Sequence, residues 1–99
     1  MNMQAMLKQA QQMQKQMLAE QEKINNMSFT GENGLVKITM KGSKRIEKVE
    51  IKKEDDFSSD DLEMLEDMIM VAVNEAITKI DKETEEKLGK YTNGLPGLF

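Results

Sequence analysis

Hydrophobic periodicity changes twice along this chain of 99 residues, and that change limits the possible folds more than any other feature. Residues 2–26 carry apolar side chains at alternating spacings of three and four, which indicates a helix with one apolar seam. Residues 27–52 alternate apolar and polar side chains with the period of two that is typical of strands. Residues 59–88 return to the helical period.

The first helix is predicted to be long and continuous. Residues 2–26 contain no Gly or Pro and are rich in Gln, Met, Lys, Ala, Leu and Glu, all good helix formers. The apolar seam consists of Met3, Met6, Ala10, Met13, Met17 and Ile24.

Two strands follow, joined by a turn. The first alternates over residues 27–30, and the glycines of the segment 31–34 predict the turn. In the second strand Val36, Ile38 and Met40 point to one face, while Lys37, Thr39 and Lys41 point to the other.

A hairpin leads into the third strand, which spans about residues 44–52. Gly42-Ser43 predicts a two-residue turn of type II′, because that turn places glycine first. Val49 and Ile51 are expected to face inward, and Ile46 is out of phase with them. A bulge between Ile46 and Val49 would restore the phase.

The second helix is expected to begin near Ser59 or Asp60, where Asp60 and Glu63 resemble a capping box. Gly89 is predicted as the residue that ends it. Its core stripe consists of Leu62, Leu65, Ile69, Ala72, Val73, Ala76 and Ile80. The chain is therefore predicted as one α+β domain over residues 1–90, with the order α-β-β-β-α, a three-stranded antiparallel sheet and a flexible tail over residues 91–99.

The long helices should outrun this sheet. A helix of 25 residues is about 37 Å long, whereas a strand of seven residues spans about 23 Å. Exposed apolar surface on the overhang predicts a homodimer. The expected interface residues are the further apolar positions of the second helix, Met64, Met68, Met70, Val71 and Ile77. The alternative is that the two helices of one monomer pack on each other beyond the sheet.

Composition limits the chemistry available to this chain. It contains no His and no Cys, which removes the commonest general base, metal ligands and thiol nucleophile. The acidic residues Asp55, Asp56, Asp60 and Asp61 lack the alternating spacing of a calcium loop. We therefore expect no catalytic residues, no metal, no cofactor and no small-molecule substrate, and the chain is not predicted to be an enzyme.

Neither a signal-peptide pattern nor an apolar run of transmembrane length is present in the sequence. The protein is therefore expected in the cytoplasm, without membrane contact.

Charge is divided unevenly between the two halves of the chain. Residues 1–53 contain ten Lys/Arg and five Asp/Glu, a net charge of +5, whereas residues 54–99 carry a net charge of −9. This asymmetry indicates either an anionic partner for the basic half or ordinary charge pairing within the chain.

The basic residues form two sets. The first lies in and around the second and third strands: Lys37, Lys41, Lys44, Arg45, Lys48, Lys52 and Lys53. The second lies along the first helix: Lys8, Lys15 and Lys23. Either set could bind phosphate or simply keep a surface solvated. No aromatic residue is interleaved with the lysines of the strands, and the chain contains one Arg, so backbone contacts should dominate any nucleic-acid binding.

Several stretches together resemble the YbaB/EbfC family of bacterial nucleoid-associated proteins. They run in the family's order over nearly the whole chain: LKQAQQMQKQM (7–17), FTGENGLVKITMKG (29–42), VEI (49–51), LEMLEDMIMVAVNEA (62–76) and LPGLF (95–99). The resemblance implies a homodimer whose helical arms project like tweezers. It also implies binding of double-stranded DNA with little sequence specificity in the nucleoid, and a role in nucleoid organisation or transcription regulation.

In that family the arms are the elements expected to grip DNA. Carried onto this chain, the arms contain Lys8, Lys15 and Lys23 of the first helix and Lys79, Lys82 and Lys87 of the second. Acidic residues on the second helix would repel phosphate unless they point away from it. The alternative function is that of a protein-interaction adaptor that uses its Met-rich helices and hydrophobic tail.

Overall fold

A computed structural model describes residues 2–92 of the chain. The α-β-β-β-α order and the α+β class predicted from periodicity are confirmed. The elements are α1 (Met3–Asn26), β1 (Ser28–Asn33), β2 (Val36–Lys41), β3 (Ile46–Ile51), a 3-10 turn (Ser59–Asp61) and α2 (Leu62–Thr92).

The three strands form an antiparallel sheet in the order β1-β2-β3. The alternation of β2 places Val36, Ile38 and Met40 toward α2, where each is at most 2% exposed. Met40 pairs with Ile46 and Thr39 with Lys48, so the intervening residue of β3 has no partner on β2. This confirms the bulge that the phase of the third strand predicted.

Helix α2 packs directly on the backbone of β1. Ala72 and Ala76 are fully buried there, and a Cβ built on Gly31 would overlap the carbonyl oxygen of Ala72. The predicted turn over residues 31–34 is therefore wrong. Gly31 lies within β1 because the approaching helix leaves no room for a side chain, and the turn is formed by Gly34, at φ +54°, and Leu35.

The second hairpin also differs from its prediction. Four residues connect β2 to β3, and the left-handed conformation is taken by Lys44, at φ 70°, and not by Gly42. Gly42 lies beneath the end of α1, where a Cβ would overlap the carbonyl oxygen of Ile24. Its N–H donates to the carbonyl of Met27 at 2.9 Å. The predicted type II′ turn is wrong, because Gly42 makes a close contact with the backbone of α1 and does not take a left-handed turn conformation.

The start of α2 lies slightly downstream of its prediction. The backbone N–H of Ser58 donates to Asp61 Oδ2 at 2.9 Å, so Ser58 and Asp61 form the capping box in place of Asp60 and Glu63. The 3-10 turn that they enclose precedes the α-helical turns.

Beyond the sheet, α1 and α2 pack on each other as an arm. Its core contains Ile24, Leu88 and Tyr91, with Met13, Met17 and Phe29 against them. The predicted end of α2 near Gly89 is wrong, because burial of Tyr91 against α1 favours continued helix up to Thr92. Residues 93–99 of the predicted tail lie outside the described residues.

The helices outrun the sheet, as their lengths predicted. The described chain measures 71 × 21 × 14 Å, and residues 3–12 of α1 are all exposed. In the inner part of the arm, α1 and α2 of one monomer therefore pack on each other, as the alternative prediction stated. It does not cover Met3, Met6 and Leu7 at the tip.

The close contact at Gly31 yields a paired stability prediction. Gly31→Ala should lower the free energy of unfolding by about 1–3 kcal/mol, because the new methyl group collides with helix backbone. Gly89→Ala should raise it by about 0.5–1 kcal/mol, because a Cβ there has no neighbouring atom within 4 Å and alanine favours helix. Urea unfolding at one fixed protein concentration measures both. Equal effects of the same sign would contradict the proposed packing.

Candidate nucleic-acid interface

Charge is polarised along the 71 Å axis of the molecule. At the end where α2 begins, residues 54–67 contain eight carboxylates and no Lys or Arg. At the other end, residues 3–19 of α1 contain Lys8 and Lys15 and no carboxylate. A polyanion is therefore attracted to the outer half of α1 and repelled from the opposite end of the molecule, whereas the α2 part of the arm carries Asp81, Glu83, Glu85 and Glu86 beside its lysines.

The lysines of α1 project from one side of the arm. Lys8 and Lys15 are seven residues apart, about 10.5 Å along the helix, and lie on the face opposite the seam that packs against α2. Both are exposed, and neither has an ion pair within the described chain. Lys23 differs, because its Nζ lies 4.0 Å from Glu20 Oε1.

On the outer face of the sheet, carboxylates compensate the positive charge of two lysines. Lys37 Nζ lies 3.8 Å from Glu32 Oε1, and Lys48 Nζ lies 3.3 Å from Glu50 Oε1. Lys41 shares this face and has no carboxylate partner among the described residues. The structure brings the predicted sheet lysines together, but it also places a counter-charge beside two of them.

The β2–β3 hairpin carries two further candidates beside the end of α1. Lys44 Nζ lies 3.1 Å from Asp81 Oδ1 of α2, so this side chain ties the hairpin to the second helix. Arg45 is exposed and accepts the backbone N–H of Lys41 through its carbonyl at 2.8 Å. Its guanidinium has no ion pair within residues 2–92.

On α2, two of the three candidate lysines have partners. Lys79 Nζ lies 3.5 Å from Glu75 Oε1 and donates to the carbonyl of Thr30 in β1 at 2.7 Å. Lys87 Nζ lies 4.0 Å from Glu83 Oε1. Lys82 is exposed and has no ion pair in the described part of the chain.

The thirteen candidate cations thus fall into two groups within residues 2–92. Six have a carboxylate within 4.0 Å: Lys23, Lys37, Lys44, Lys48, Lys79 and Lys87. Seven do not: Lys8, Lys15, Lys41, Arg45, Lys52, Lys53 and Lys82. A cation without a partner binds phosphate without first losing an ion pair, which favours the second group.

An uncovered apolar face lies on β3, and its exposure was not expected from the alternation of the strand. Ile46, Val49 and Ile51 share the face of the buried β2 side chains, but α2 covers β1 and β2 alone. The three residues are therefore 48–50% exposed. Alternation predicts which face a residue occupies, but not whether another element covers it.

Contacts of α2 show where the expected dimer residues lie. Asp81 contacts Lys44 on the side toward β3. At about 100° per residue, Met70 and Ile77 lie on that same flank, whereas Met64 and Val71 lie on the outer face. Met68 lies against the chain's own β1–β2 turn, where its Sδ accepts the N–H of Leu35 at 3.4 Å.

The described residues show no sign of two other kinds of site. Within residues 2–92, no group of three or more acidic side chains is arranged to hold a metal ion. None of the described helices is long and apolar enough to cross a membrane.

Comparison with known proteins gives one consistent result. The model of the YbaB/EbfC DNA-binding family matches residues 1–95. A nucleoid-associated protein of Enterococcus faecalis is 49% identical over 98% of this chain and 94% of its own length. Nucleoid-associated proteins of Lactococcus lactis subsp. lactis and Ligilactobacillus salivarius are 47% and 41% identical, over 97% and 99% of this chain and 98% and 95% of theirs.

The conformation of the hairpin yields a stability prediction. Lys44→Gly and Lys44→Ala both remove the ion pair with Asp81, but only glycine also relieves the left-handed backbone at φ 70°. The glycine variant should therefore be more stable than the alanine variant by about 0.5–1 kcal/mol, after the greater unfolded-state entropy of glycine is subtracted. Urea unfolding measures the difference, and a more stable alanine variant would contradict the hairpin geometry.

Proposed function

The chain belongs to the YbaB/EbfC DNA-binding family, and on that premise we propose that it binds double-stranded DNA as a homodimeric, nucleoid-associated protein. Contacts between lysine and phosphate supply most of the affinity, so that binding depends little on sequence. Binding of this kind affects nucleoid organisation or gene expression. Catalysis has no part in the proposed role.

The arm is the proposed DNA-binding element. The observation that carries this proposal is the charge polarity of the molecule, since Lys8 and Lys15 are exposed and have no ion pair within residues 2–92.

 The first carboxylate of α1 is Glu20, twelve residues beyond Lys8 and five beyond Lys15. Because the carboxylates of residues 54–67 lie at the opposite end of the molecule, the outer half of α1 is the part of the arm that meets DNA with the least repulsion.

The proposed dimer forms through the β3 surface, which we define as Ile46, Val49, Ile51, Met70 and Ile77. These side chains come from β3 and from the flank of α2 that lies toward β3. A two-fold axis through this surface would cover it with its own copy and leave both arms free to contact DNA. Met64, Met68 and Val71 stay sequence-based predictions for this interface.

The DNA proposal is tested by a fluorescence-anisotropy titration with a short duplex at several salt concentrations. Affinity should fall as salt rises, with a log–log slope of about −0.9 for each phosphate contacted. Lys8→Glu with Lys15→Glu should weaken binding and make the slope less steep by about one unit for each lost contact.

A matched variant distinguishes the arm from the sheet. Lys41→Glu with Lys48→Glu makes the same charge change on the outer face of the sheet and should weaken binding less. A larger effect of the sheet variant would move the proposed contact from the arm to the sheet. Absence of binding even at low salt would overturn the DNA proposal as a whole.

The dimer is tested by light scattering at micromolar concentration, where the mass should be twice the 11.3 kDa of one chain. Val49→Asp places a charge on the β3 surface and should give the monomer mass with its helical circular dichroism retained, since this side chain is half-exposed in one chain. Thr39→Asp, on the other face of the sheet, is the control and should stay dimeric. A wild-type mass of 11.3 kDa would contradict the dimer.

A protein-interaction adaptor is the second candidate function. The observation that favours it is the exposed apolar tip of α1, where Met3, Met6 and Leu7 are 77%, 50% and 61% exposed. The adaptor function would be favoured if a stable dimer did not bind DNA at low salt but bound one specific protein through this tip.

A further inference from the structure

Glutamine is confined to one element of this protein. The chain contains seven Gln, and all of them lie between residues 4 and 21, within α1. Helix α2 is longer, yet it contains eight carboxylates, four Lys and no Gln. A soluble helix does not need glutamine, because Glu and Lys give α2 both its solubility and its helix propensity.

Two of these glutamines share a face with the free lysines of the arm. At about 100° per residue, steps of four, three and four place Gln4, Lys8, Gln11 and Lys15 in one row. This row, here named the Gln–Lys stripe, lies opposite the seam that packs against α2. All four side chains are exposed.

The stripe is free to contact a ligand. Within the described chain, neither Gln4 nor Gln11 has a side-chain hydrogen bond, unlike Gln21, which donates to Asn25 Oδ1 at 2.8 Å. The next carboxylate on this side of the helix is Glu22, seven residues beyond Lys15, so the stripe itself is without negative charge.

The chemistry of the stripe matches the major groove of DNA. That groove admits an α-helix, and a Gln amide pairs with adenine by donating to N7 and accepting from the N6 amino group. From Gln4 to Lys15 the stripe is about 16.5 Å long, close to the rise of five base pairs. Leu7 and Leu18 flank it and are 61% and 59% exposed, which suits contact with the methyl group of thymine.

We propose that the Gln–Lys stripe of α1 enters the major groove and reads adenine through Gln4 and Gln11. The inference rests on the proposed DNA binding and adds a modest preference for A·T pairs to it. Lys8 and Lys15 supply charge beside the two amides, and phosphate contacts still provide most of the affinity. The arm can reach into the groove because residues 2–12 are exposed on every side.

The experiment uses two duplexes of equal length and sequence, one with adenine and one with 7-deazaadenine, which lacks the N7 acceptor. The wild-type protein should bind the 7-deazaadenine duplex about fivefold or more weakly. Gln4→Ala with Gln11→Ala should bind both duplexes alike, because the amides that contact N7 are absent. Alanine keeps the helix, so circular dichroism should not change.

A second pair of glutamines in the same helix provides the control. Gln9→Ala with Gln16→Ala removes two amides from another side of α1 and should keep the wild-type preference for adenine. Equal wild-type affinity for both duplexes would overturn the inference and leave the proposed function standing. A preference that survives in the Gln4 and Gln11 variant would also overturn it. Loss of all DNA binding at low salt would overturn the proposed function instead.

Discussion

The contact between the backbones of α2 and β1 at Gly31 is the constraint on which the rest of the structure depends. Ala72 and Ala76 lie against the glycine, and no side chain fits between the helix and the strand. This contact holds α2 over β1 and β2, so that the apolar face of β3 stays uncovered. It also directs the second half of α2 off the sheet, where Leu88 and Tyr91 pack against α1.

The two ends of the molecule consequently differ in their physical character. The uncovered face of β3 is apolar and suits a second copy of the chain, while the arm carries free lysines and polar amides. The carboxylates of residues 54–67 lie at the end away from the arm tip. The proposed association and the proposed DNA binding therefore use separate surfaces, so that neither requires the other surface to rearrange.

Much of the fold could be predicted from periodicity, because period directly reports which side chains share a face. The order of elements, the long helices and the bulge in β3 all follow from it. The candidate site was less predictable. Lys37 and Lys48 share a face with Lys41 as alternation predicts, but their pairing with Glu32 and Glu50 depends on side-chain geometry that alternation does not describe.

The sequence by itself determined the α-β-β-β-α order, the absence of His and Cys, and the confinement of glutamine to the first helix. Only the tertiary structure decided which glycines lie in turns and which lie in close contact with a helix. The sequence around Gly31 and Gly42 is typical of turns, yet each of these glycines lies under the backbone of a helix. In the second hairpin it is Lys44, and not Gly42, that takes the left-handed conformation. The physical reason is that a close approach between backbones involves residues distant in the sequence, such as Gly31 and Ala72, whereas a turn signal is local.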